Sequence, residues 1–284
     1  MEDVLRGLQW EECLLYIDDI IVPGSSVEES LFILEHIFIR LREAHLKLKP
    51  SKCILFQKSV TFLGHVVSEE GIHTDPDKIE AVQNWPTPRS IKEIKSFLGL
   101  CSYYRKFVKG FADIARPLHK ACQKGIKFTW TETCQDAFEK LKKSMITPPI
   151  LIYPVPGKRF ILDTDASDKA VGAVLSQQID DNEHVIAYIS KALNKHETAY
   201  YTTRRELFAA ITAHKHFHSY NYGQNVLLRT DNVAVSWMRN LTNPTGQGAR
   251  WLQELGTYDL QIEHRAGRKH SNADALSRNP MRFM

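Results

Sequence analysis

The stretch Phe160–Asp165, with the sequence FILDTD, sets the pattern for the second half of this 284-residue chain. Three apolar residues lead into Asp163 and Asp165, which point to the same side of an extended strand because side chains alternate with a period of two. The apolar lead-in predicts a buried strand whose acidic end lies at the rim of a sheet, where carboxylates can bind a divalent metal. Three acids downstream are candidates to complete such a site: Glu206, Asp231 and Asp274.

Strand and helix patterns follow this stretch in a definite order. Short polar turns separate the first three apolar runs, which predicts an antiparallel meander. The next strand comes after an amphipathic helix and is expected to run parallel to the first. The first and fourth strands are then neighbours, so Asp165 and Asp231 are expected at one edge of the sheet. The predicted strands are 160–165, 170–177, 184–190, 224–230 and 258–264, and the predicted helices are 202–217, 233–240, 248–255 and a short one from about 271.

The other two acids are expected at helix starts, with Glu206 in the first turn of the long helix and Asp274 in the first turn of the last one. Acidic side chains are favoured at helix N-termini by the helix dipole, and this explains either residue taken singly. Four acids at one edge exceed what folding requires. Their repulsion would be costly without cations, so divalent metals are implied.

The composition is that of an ordinary globular protein, 43% hydrophobic and 25% charged, with a net charge of +4. This mildly basic balance is compatible with a polyanionic partner but does not demonstrate one. The five cysteines are scattered without a Cys-x-x-Cys pair, which argues against a zinc–thiolate site and predicts an intracellular protein, cytoplasmic or nuclear. No apolar run approaches the roughly 20 residues that span a bilayer, so no membrane partner is expected.

A second acid pair, Asp18 and Asp19, lies between two short apolar runs, and Pro23 and Gly24 form a turn after them. This pattern predicts a β-hairpin with carboxylates at its tip. Buried strands on both sides would hold the acids side by side and favour a bound cation. For an isolated dipeptide, a solvated turn is the alternative.

Several motifs give the chain a family resemblance. Tyr16–Asp19 (YIDD), Leu48–Cys53 (LKPSKC) and Phe62–His65 (FLGH) resemble the C-terminal half of the palm of a reverse transcriptase, of the gypsy-like long-terminal-repeat retrotransposon type. Phe97–Phe107 resembles the thumb of that family. The motifs that resemble its ribonuclease H domain are Thr164–Ser167, Gly172–Gln177, Arg205–Leu207, Arg229–Asn232 and Asn272–Arg278.

The resemblance implies a fragment of a pol polyprotein, with an α/β, ribonuclease-H-like mixed sheet flanked by helices and preceded by a partial palm and a helical thumb and connection. Basic residues alternate with aromatic ones in the thumb-like part, which suits a surface that tracks a nucleic-acid backbone or a solvated face over an aromatic core. The implied domains are the palm part (1–73), the thumb-like helices (74–122), the connection (123–156), the ribonuclease H-like domain (157–279) and a tail (280–284).

The resemblance also implies a site and a reaction. The four catalytic residues and metal ligands would be Asp165, Glu206, Asp231 and Asp274, holding two Mg²⁺ ions, with Mn²⁺ as an alternative metal. The reaction would be endonucleolytic hydrolysis of the RNA strand of an RNA–DNA hybrid, distinguished by its 2′-hydroxyls. Contacts to nucleic acid are predicted for Ser167, Arg204, Arg205 and Asn232, each with an alternative as a turn-former or part of a solvated helix end.

Three other side chains near these motifs are not assigned to the site. Asp163 is expected to be solvated or lysine-paired rather than a ligand. Related cellular enzymes use a mobile histidine before the last acid for product release. Neither His264, expected at the end of a strand, nor His270 matches that position, and both are expected to be surface histidines.

The polymerase motif lacks a partner. A palm of this family needs a further carboxylate on a strand upstream of the hairpin, and none of the upstream acids lies on such a strand. This chain alone is therefore expected not to polymerise DNA, with the rest of the polyprotein or a second chain as a potential partner. The alternative to a nuclease is a catalytically inactive retroelement remnant that at most binds nucleic acid.

Overall fold

The structure, a computed structural model, describes residues 1–231 and 246–264. The chain divides into two compact units between Glu69 and Glu70; the finer division predicted from the sequence stays a prediction. Among the described residues no helix is long and apolar enough to cross a bilayer. Several predicted features lie outside the described residues, namely the helices at 233–240 and from about 271 and the side chains Asn232, His270 and Asp274.

The first unit packs one amphipathic helix against the N-terminal segment. Its elements are β1 (Leu14–Tyr16), β2 (Asp19–Ile21), α1 (Val27–Glu43), β3 (Ser59–Phe62) and β4 (His65–Ser68). Strands β1 and β2 form the predicted antiparallel hairpin. Ser26 caps α1, because its hydroxyl accepts a hydrogen bond from the Glu29 N–H. The buried face of α1 consists of Ile33, Ile37 and Leu41.

The second unit opens with a short strand and four helices. These are β5 (Gly71–Thr74), α2 (Pro76–Gln83), α3 (Ile91–Tyr103), α4 (Phe111–Ala121) and α5 (Glu132–Ile146). Asp75, Ser90 and Thr131, whose residue types favour helix N-caps, each accept a hydrogen bond from a backbone N–H in the first turn of α2, α3 and α5. Tyr104 and Phe107, from the basic and aromatic stretch, are buried in the core between these helices.

A five-stranded mixed sheet follows, as predicted. Its elements are β6 (Phe160–Ala166), β7 (Ala170–Ile179), β8 (Asn182–Ala192), α6 (Thr202–His216), α7 (His218–Asn221), β9 (Asn225–Thr230), α8 (Gly246–Leu255) and β10 (Asp259–His264). The strand order is β10-β9-β6-β7-β8. Strands β6, β7 and β8 form the antiparallel meander, whereas β9 is parallel to both β6 and β10.

Helix α6 covers one face of the sheet. Leu162 at the centre of β6 packs in one cluster with Leu207 and Ile211 of α6. Because side chains alternate along a strand, Asp163 and Asp165 lie on the other side of β6 from Leu162. The edge strand β8 contacts the preceding helices, since the Ser190 hydroxyl accepts a hydrogen bond from the Ala112 N–H at 3.2 Å.

Candidate metal centre

Strand β6 buries both of its acids. Asp163 is 0% exposed and Asp165 is 2% exposed, because β6 has β7 on one side and β9 on the other. A buried carboxylate carries a large desolvation cost unless other groups offset it. The two acids of this strand have different surroundings.

Three acids from three elements converge around Asp165. Asp165 near the end of β6, Glu206 in α6 and Asp231 just after β9 each offer a carboxylate oxygen, and these oxygens all lie within 4.8 Å of one another. The parallel pairing of β6 with β9 brings Asp165 and Asp231 to the same edge, as expected from the sequence. Within residues 1–231 and 246–264, no other three acidic, histidine or cysteine side chains lie so close together.

Glu206 is buried, with an exposed fraction of 3%. It is the fifth residue of α6, so its expected place in the first turn is wrong, and the preference of acids for helix starts does not explain it. One carboxylate oxygen accepts a hydrogen bond from the Ala166 N–H at 3.2 Å. The other, Oε2, is buried and accepts no hydrogen bond from the described residues.

The surroundings of Glu206 penalise its charge. Burial, followed by the negative charges of Asp165 and Asp231, raises the pKa of Glu206 to about 9, and the Ala166 amide and Arg205 only partly oppose the shift. The carboxyl therefore keeps its proton near neutral pH unless a cation offsets the neighbouring charges. Closely spaced carboxylate oxygens are the ligands that hard divalent cations such as Mg²⁺ prefer. These side chains, including the buried Oε2, therefore fit a divalent metal.

Ser167 follows the acids directly and forms a turn. Its hydroxyl accepts hydrogen bonds from the backbone N–H groups of Lys169 and Ala170, at 3.2 and 2.9 Å. This is the alternative considered from the sequence, and its predicted contact to nucleic acid stays a prediction. The roles of Asn232 and Asp274 also stay predictions, since both lie outside the described residues.

The two arginines of α6 are placed differently. The Arg204 guanidinium lies 4.3 Å from the ring centroid of Tyr200 and 5.7 Å from that of Trp251, and it bonds the Gln247 side chain. The contacts with Trp251 and Gln247 hold α6 to α8, the first by cation–π attraction and the second by a hydrogen bond. Arg205 is half-buried, and its charge acts on Glu206. Arg205 is therefore the arginine whose charge bears on the acid cluster, and the predicted contacts of both arginines to nucleic acid stay predictions.

The expectation that Asp163 is solvated or lysine-paired is wrong. Its Oδ2 lies 3.8 Å from Nη1 of Arg229, which is its cross-strand neighbour on β9. The same Nη1 lies 2.8 Å from Oε2 of Glu183, whose Oε1 accepts a hydrogen bond from the Ser176 hydroxyl at 2.9 Å. Sequence reasoning missed this pairing. The available signal was that Asp163 and Arg229 each precede a predicted ligand by two positions.

His264 is exposed at the end of β10, as expected. Its Nε2 lies 3.0 Å from the backbone carbonyl oxygen of Asp231. Since a carbonyl oxygen only accepts hydrogen bonds, Nε2 carries the proton and donates. His264 therefore fixes the main chain that carries Asp231, a contact that the sequence did not reveal.

The acid pair of the first unit has a different setting. Asp18 and Asp19 are exposed at the tip of the β1–β2 hairpin. The expectation of buried strands on both sides is wrong, because Leu14 and Tyr16 of β1 are 40% and 52% exposed. Within the part of the chain that the structure describes, no third acid joins this pair in a potential metal site.

A five-stranded mixed sheet with acids at the adjoining ends of two parallel strands defines the ribonuclease-H-like class. Two families match the sequence, "RNase H-like domain found in reverse transcriptase" over residues 130–228 and "Reverse transcriptase (RNA-dependent DNA polymerase)" over residues 1–67. The chain belongs to the Pol polyproteins of gypsy-like long-terminal-repeat retrotransposons.

Named relatives support this assignment. The chain is 42% identical to the Retrovirus-related Pol polyprotein from transposon 297 of Drosophila melanogaster, over 98% of this chain and 26% of that protein. It is 32% identical to the Transposon Tf2-3 polyprotein of Schizosaccharomyces pombe, over 97% of this chain and 21% of that protein. The chain thus spans about a quarter of the length of these curated relatives.

Solved structures share the fold. The foamy viral protease-reverse transcriptase in complex with RNA/DNA hybrid has a TM-score of 0.81 at 22% identity, covering 100% of this chain and 38% of that chain. The same viral protein in complex with dsDNA has a TM-score of 0.77 at 23% identity, covering 93% of this chain and 56% of that chain. At this level of identity the likeness shows the fold alone.

Proposed function

We propose that this chain is an Mg²⁺-dependent endonuclease that hydrolyses the RNA strand of RNA–DNA hybrids, as the ribonuclease H part of a retrotransposon reverse transcriptase. The observation that carries the proposal is the convergence of Asp165, Glu206 and Asp231, of which the first two are buried and the third is half-buried. The match to a ribonuclease H-like family found in reverse transcriptases supports the activity. The foamy viral protein bound to an RNA/DNA hybrid has the same fold, which supports the substrate.

The proposed metal ligands are the three clustered acids, joined by Asp274 as the family resemblance implies. They would hold two Mg²⁺ ions, with Mn²⁺ able to replace them. When bound, such ions supply an activated water and neutralise charge at the scissile phosphate.

The protein's own contribution is to hold the carboxylates in place before the substrate arrives. The central strand β6 fixes Asp165, and the Ala166 N–H orients one oxygen of Glu206. His264 donates a hydrogen bond to the backbone of Asp231. Burial keeps bulk water away from Asp165 and Glu206, so their charges act through a lower dielectric than at the surface.

Arg205 is proposed to bind a phosphate of the nucleic acid. Its side chain is half-buried beside Glu206, and its Nε is buried and donates no hydrogen bond to a described residue. Guanidinium groups bind phosphate through charge-assisted hydrogen bonds. The rest of the Pol polyprotein or a second chain is the proposed protein partner.

The proposal is tested with the full chain and an end-labelled RNA–DNA hybrid, beside RNA and DNA duplexes of the same sequence. We expect internal cuts in the RNA strand of the hybrid with Mg²⁺, none with EDTA and none in either duplex. Asp165→Asn should abolish cutting. Asp259→Asn, which removes an equal charge where β10 starts, should cut like the wild type.

Binding of the hybrid without any cutting would overturn the proposal in favour of the catalytically inactive remnant. Cutting that persists in Asp165→Asn would instead show that the acid cluster is not the reaction site.

A further inference from the structure

Two pairs of charged residues occupy successive positions on the parallel strands β6 and β9. The outer pair is Asp165 and Asp231, which belongs to the acid cluster. The inner pair is Asp163 and Arg229, which face each other across the two strands. Residues two apart on a strand are separated by roughly 6.6 Å, so the inner pair lies directly beside the cluster.

The inner pair is part of a longer polar chain. Arg229 lies 3.8 Å from Asp163 and 2.8 Å from Glu183, and the Glu183 carboxylate accepts a hydrogen bond from Ser176. These residues come from β9, β6, β8 and β7, so the chain of contacts links four of the five strands. Asp163 is 0% exposed and the Arg229 side chain is 15% exposed. Charges this buried are costly to leave unpaired.

Stability alone is a poor explanation for such a network. Apolar residues of similar volume often stabilise a protein as well as a buried ion pair does. The position of the network suggests a different role. Arg229 links β9 to β6 through Asp163, and the clustered acids Asp231 and Asp165 follow these two residues by two positions. Groups that orient metal ligands without touching the metal commonly change metal affinity by about 10- to 100-fold when they are mutated.

We propose that Asp163, Arg229 and Glu183 are positioning residues that hold Asp165 and Asp231 in register for metal binding. The inference rests on the proposed function, because it takes the acid cluster to be a metal centre. Asp163 is not a ligand in this account: its charge is paired with Arg229, and its neighbour two positions on, Asp165, binds the metal.

Charge and positioning predict opposite effects for one substitution. Arg229→Gln makes the surroundings of the cluster more negative, which by charge alone tightens cation binding. The same substitution removes the bridge between β9 and β6, which weakens cation binding if the bridge sets the ligand geometry. Arg229→Lys keeps the charge but replaces the planar guanidinium, whose Nη1 lies near both carboxylates, with an ammonium group of different geometry, so it should retain part of the affinity.

The experiment is a calorimetric Mn²⁺ titration of the full chain, together with thermal unfolding in EDTA and the hybrid-cutting assay. The variants are Asp163→Asn, Arg229→Gln and Arg229→Lys. The control is Asp259→Asn, at the far end of the neighbouring strand. We expect Mn²⁺ affinity to fall about tenfold in the first two variants with an unchanged number of bound ions, to fall less in Arg229→Lys, and to stay unchanged in the control.

Three outcomes would contradict the positioning role of this network. Lower thermal stability with unchanged Mn²⁺ affinity would make the network merely structural, and tighter binding in Arg229→Gln would make it merely electrostatic. Loss of a bound ion in Asp163→Asn would make that residue a ligand. If Arg229→Gln does not fold, wild-type affinity in Arg229→Lys would still overturn the proposal.

Mn²⁺ binding and hybrid cutting by the wild type show whether this inference, the proposed function or both fail. A wild type that binds no Mn²⁺ would overturn both. Binding with the expected variant pattern but no cutting of the hybrid would overturn the proposed function alone.

Discussion

Two acid pairs in this chain look alike in sequence but differ in structure. Asp18 and Asp19 lie at the tip of a two-stranded hairpin and are exposed to solvent. Asp163 and Asp165 lie on the central strand of a five-stranded sheet and are buried. In the described residues, only the second pair has further acids close by, because α6 and β9 bring Glu206 and Asp231 to Asp165.

The comparison shows that acids on a strand do not make a metal centre by themselves. Two exposed carboxylates repel each other weakly, because water screens their charges. Around Asp165 the setting differs, because burial and, after it, the repulsion from Asp165 and Asp231 raise the pKa of Glu206. A bound cation removes that repulsion, and so the second region has a physical reason to bind metal that the first lacks.

The largest effect is expected from removing one acid of each region. Asp231→Asn should reduce hybrid cleavage by about a thousandfold, because a metal site supplies several kcal/mol of transition-state stabilisation. Asp19→Asn should leave cleavage unchanged, since its side chain is exposed and lies outside the cluster. Single-turnover cleavage rates measure both. Equal losses in the two variants would contradict the distinction between the regions.

A second effect concerns stabilisation by metal. Because Glu206 keeps its proton in the absence of a cation, Glu206→Gln resembles the metal-free wild type and should melt at nearly the same temperature in EDTA. Mg²⁺ at a hundred times its dissociation constant should stabilise the wild type by about 2.7 kcal/mol, and this gain should vanish in the variant. Thermal unfolding with Mg²⁺ and with EDTA measures both.

Asp18→Asn is the matched control from the first unit and should keep the full gain from Mg²⁺. If stabilisation by Mg²⁺ persists in Glu206→Gln but is lost in Asp18→Asn, the metal binds at the hairpin and not at the acid cluster.

The buried interior of the second unit also predicts a pH dependence. Burial lowers the pKa of His214 to about 4, its Nδ1 lies 3.2 Å from Nδ2 of Asn221, and its ring packs on Tyr258. Since the folded state favours the neutral ring, the stability that His214 contributes is complete above its ordinary pKa of 6.5 and is lost as the pH falls towards 4. The loss amounts to about 3 kcal/mol.

The test compares unfolding of the wild type and His214→Phe between pH 4 and pH 8. The test uses the difference in free energy of unfolding between the two proteins. The total for the wild type is not used, because the raised pKa values of Asp113 and Glu206 stabilise the folded state as the pH falls, opposite to the effect of His214. The wild type should lose stability relative to the variant below about pH 6.5. His196→Phe, at an exposed position, should show no such trend, and a flat difference for His214→Phe would contradict the expectation.

The smallest effect is expected at His264. His264→Ala removes the hydrogen bond to the Asp231 carbonyl, which is worth about 1 kcal/mol, so the Mg²⁺ concentration for half-maximal cleavage should rise roughly fivefold. His264→Asn keeps a donor and should recover part of the loss. His184→Ala, at an exposed position on β8, is the control. An unchanged Mg²⁺ requirement in His264→Ala would show that this bond does not position Asp231.

The elements of this fold were largely predictable because their signals are local. The strands of the sheet follow from apolar runs and polar turns, and the helix starts follow from caps such as Ser90 and Thr131. The parallel pairing of β6 and β9 followed from the helix between them. That pairing also brought Asp165 and Asp231 together, as expected.

The partners of buried charges were not predictable in the same way. Glu183 and Arg229 are 46 residues apart along the chain, and their contact depends on the register of four strands. The prediction for Asp163 was wrong because acids are usually solvated, and only the position of β6 within the sheet shows that this one is not. Glu206 was placed one turn too early, although its approach to Asp165 was correctly expected.

The sequence by itself determined the order of strands and helices, the hairpin, the helix caps and the family, because each depends on neighbouring residues or on motifs. Only the tertiary structure decided which acids are buried together, which one is paired with Arg229 and which pair is left in water. The physical reason is that the energy of a charge depends on its burial and on the charges around it, and distant parts of the chain supply both. The two acids of the strand Phe160–Ala166 therefore differ in their surroundings, because Asp165 lies in the acid cluster and Asp163 is paired with Arg229.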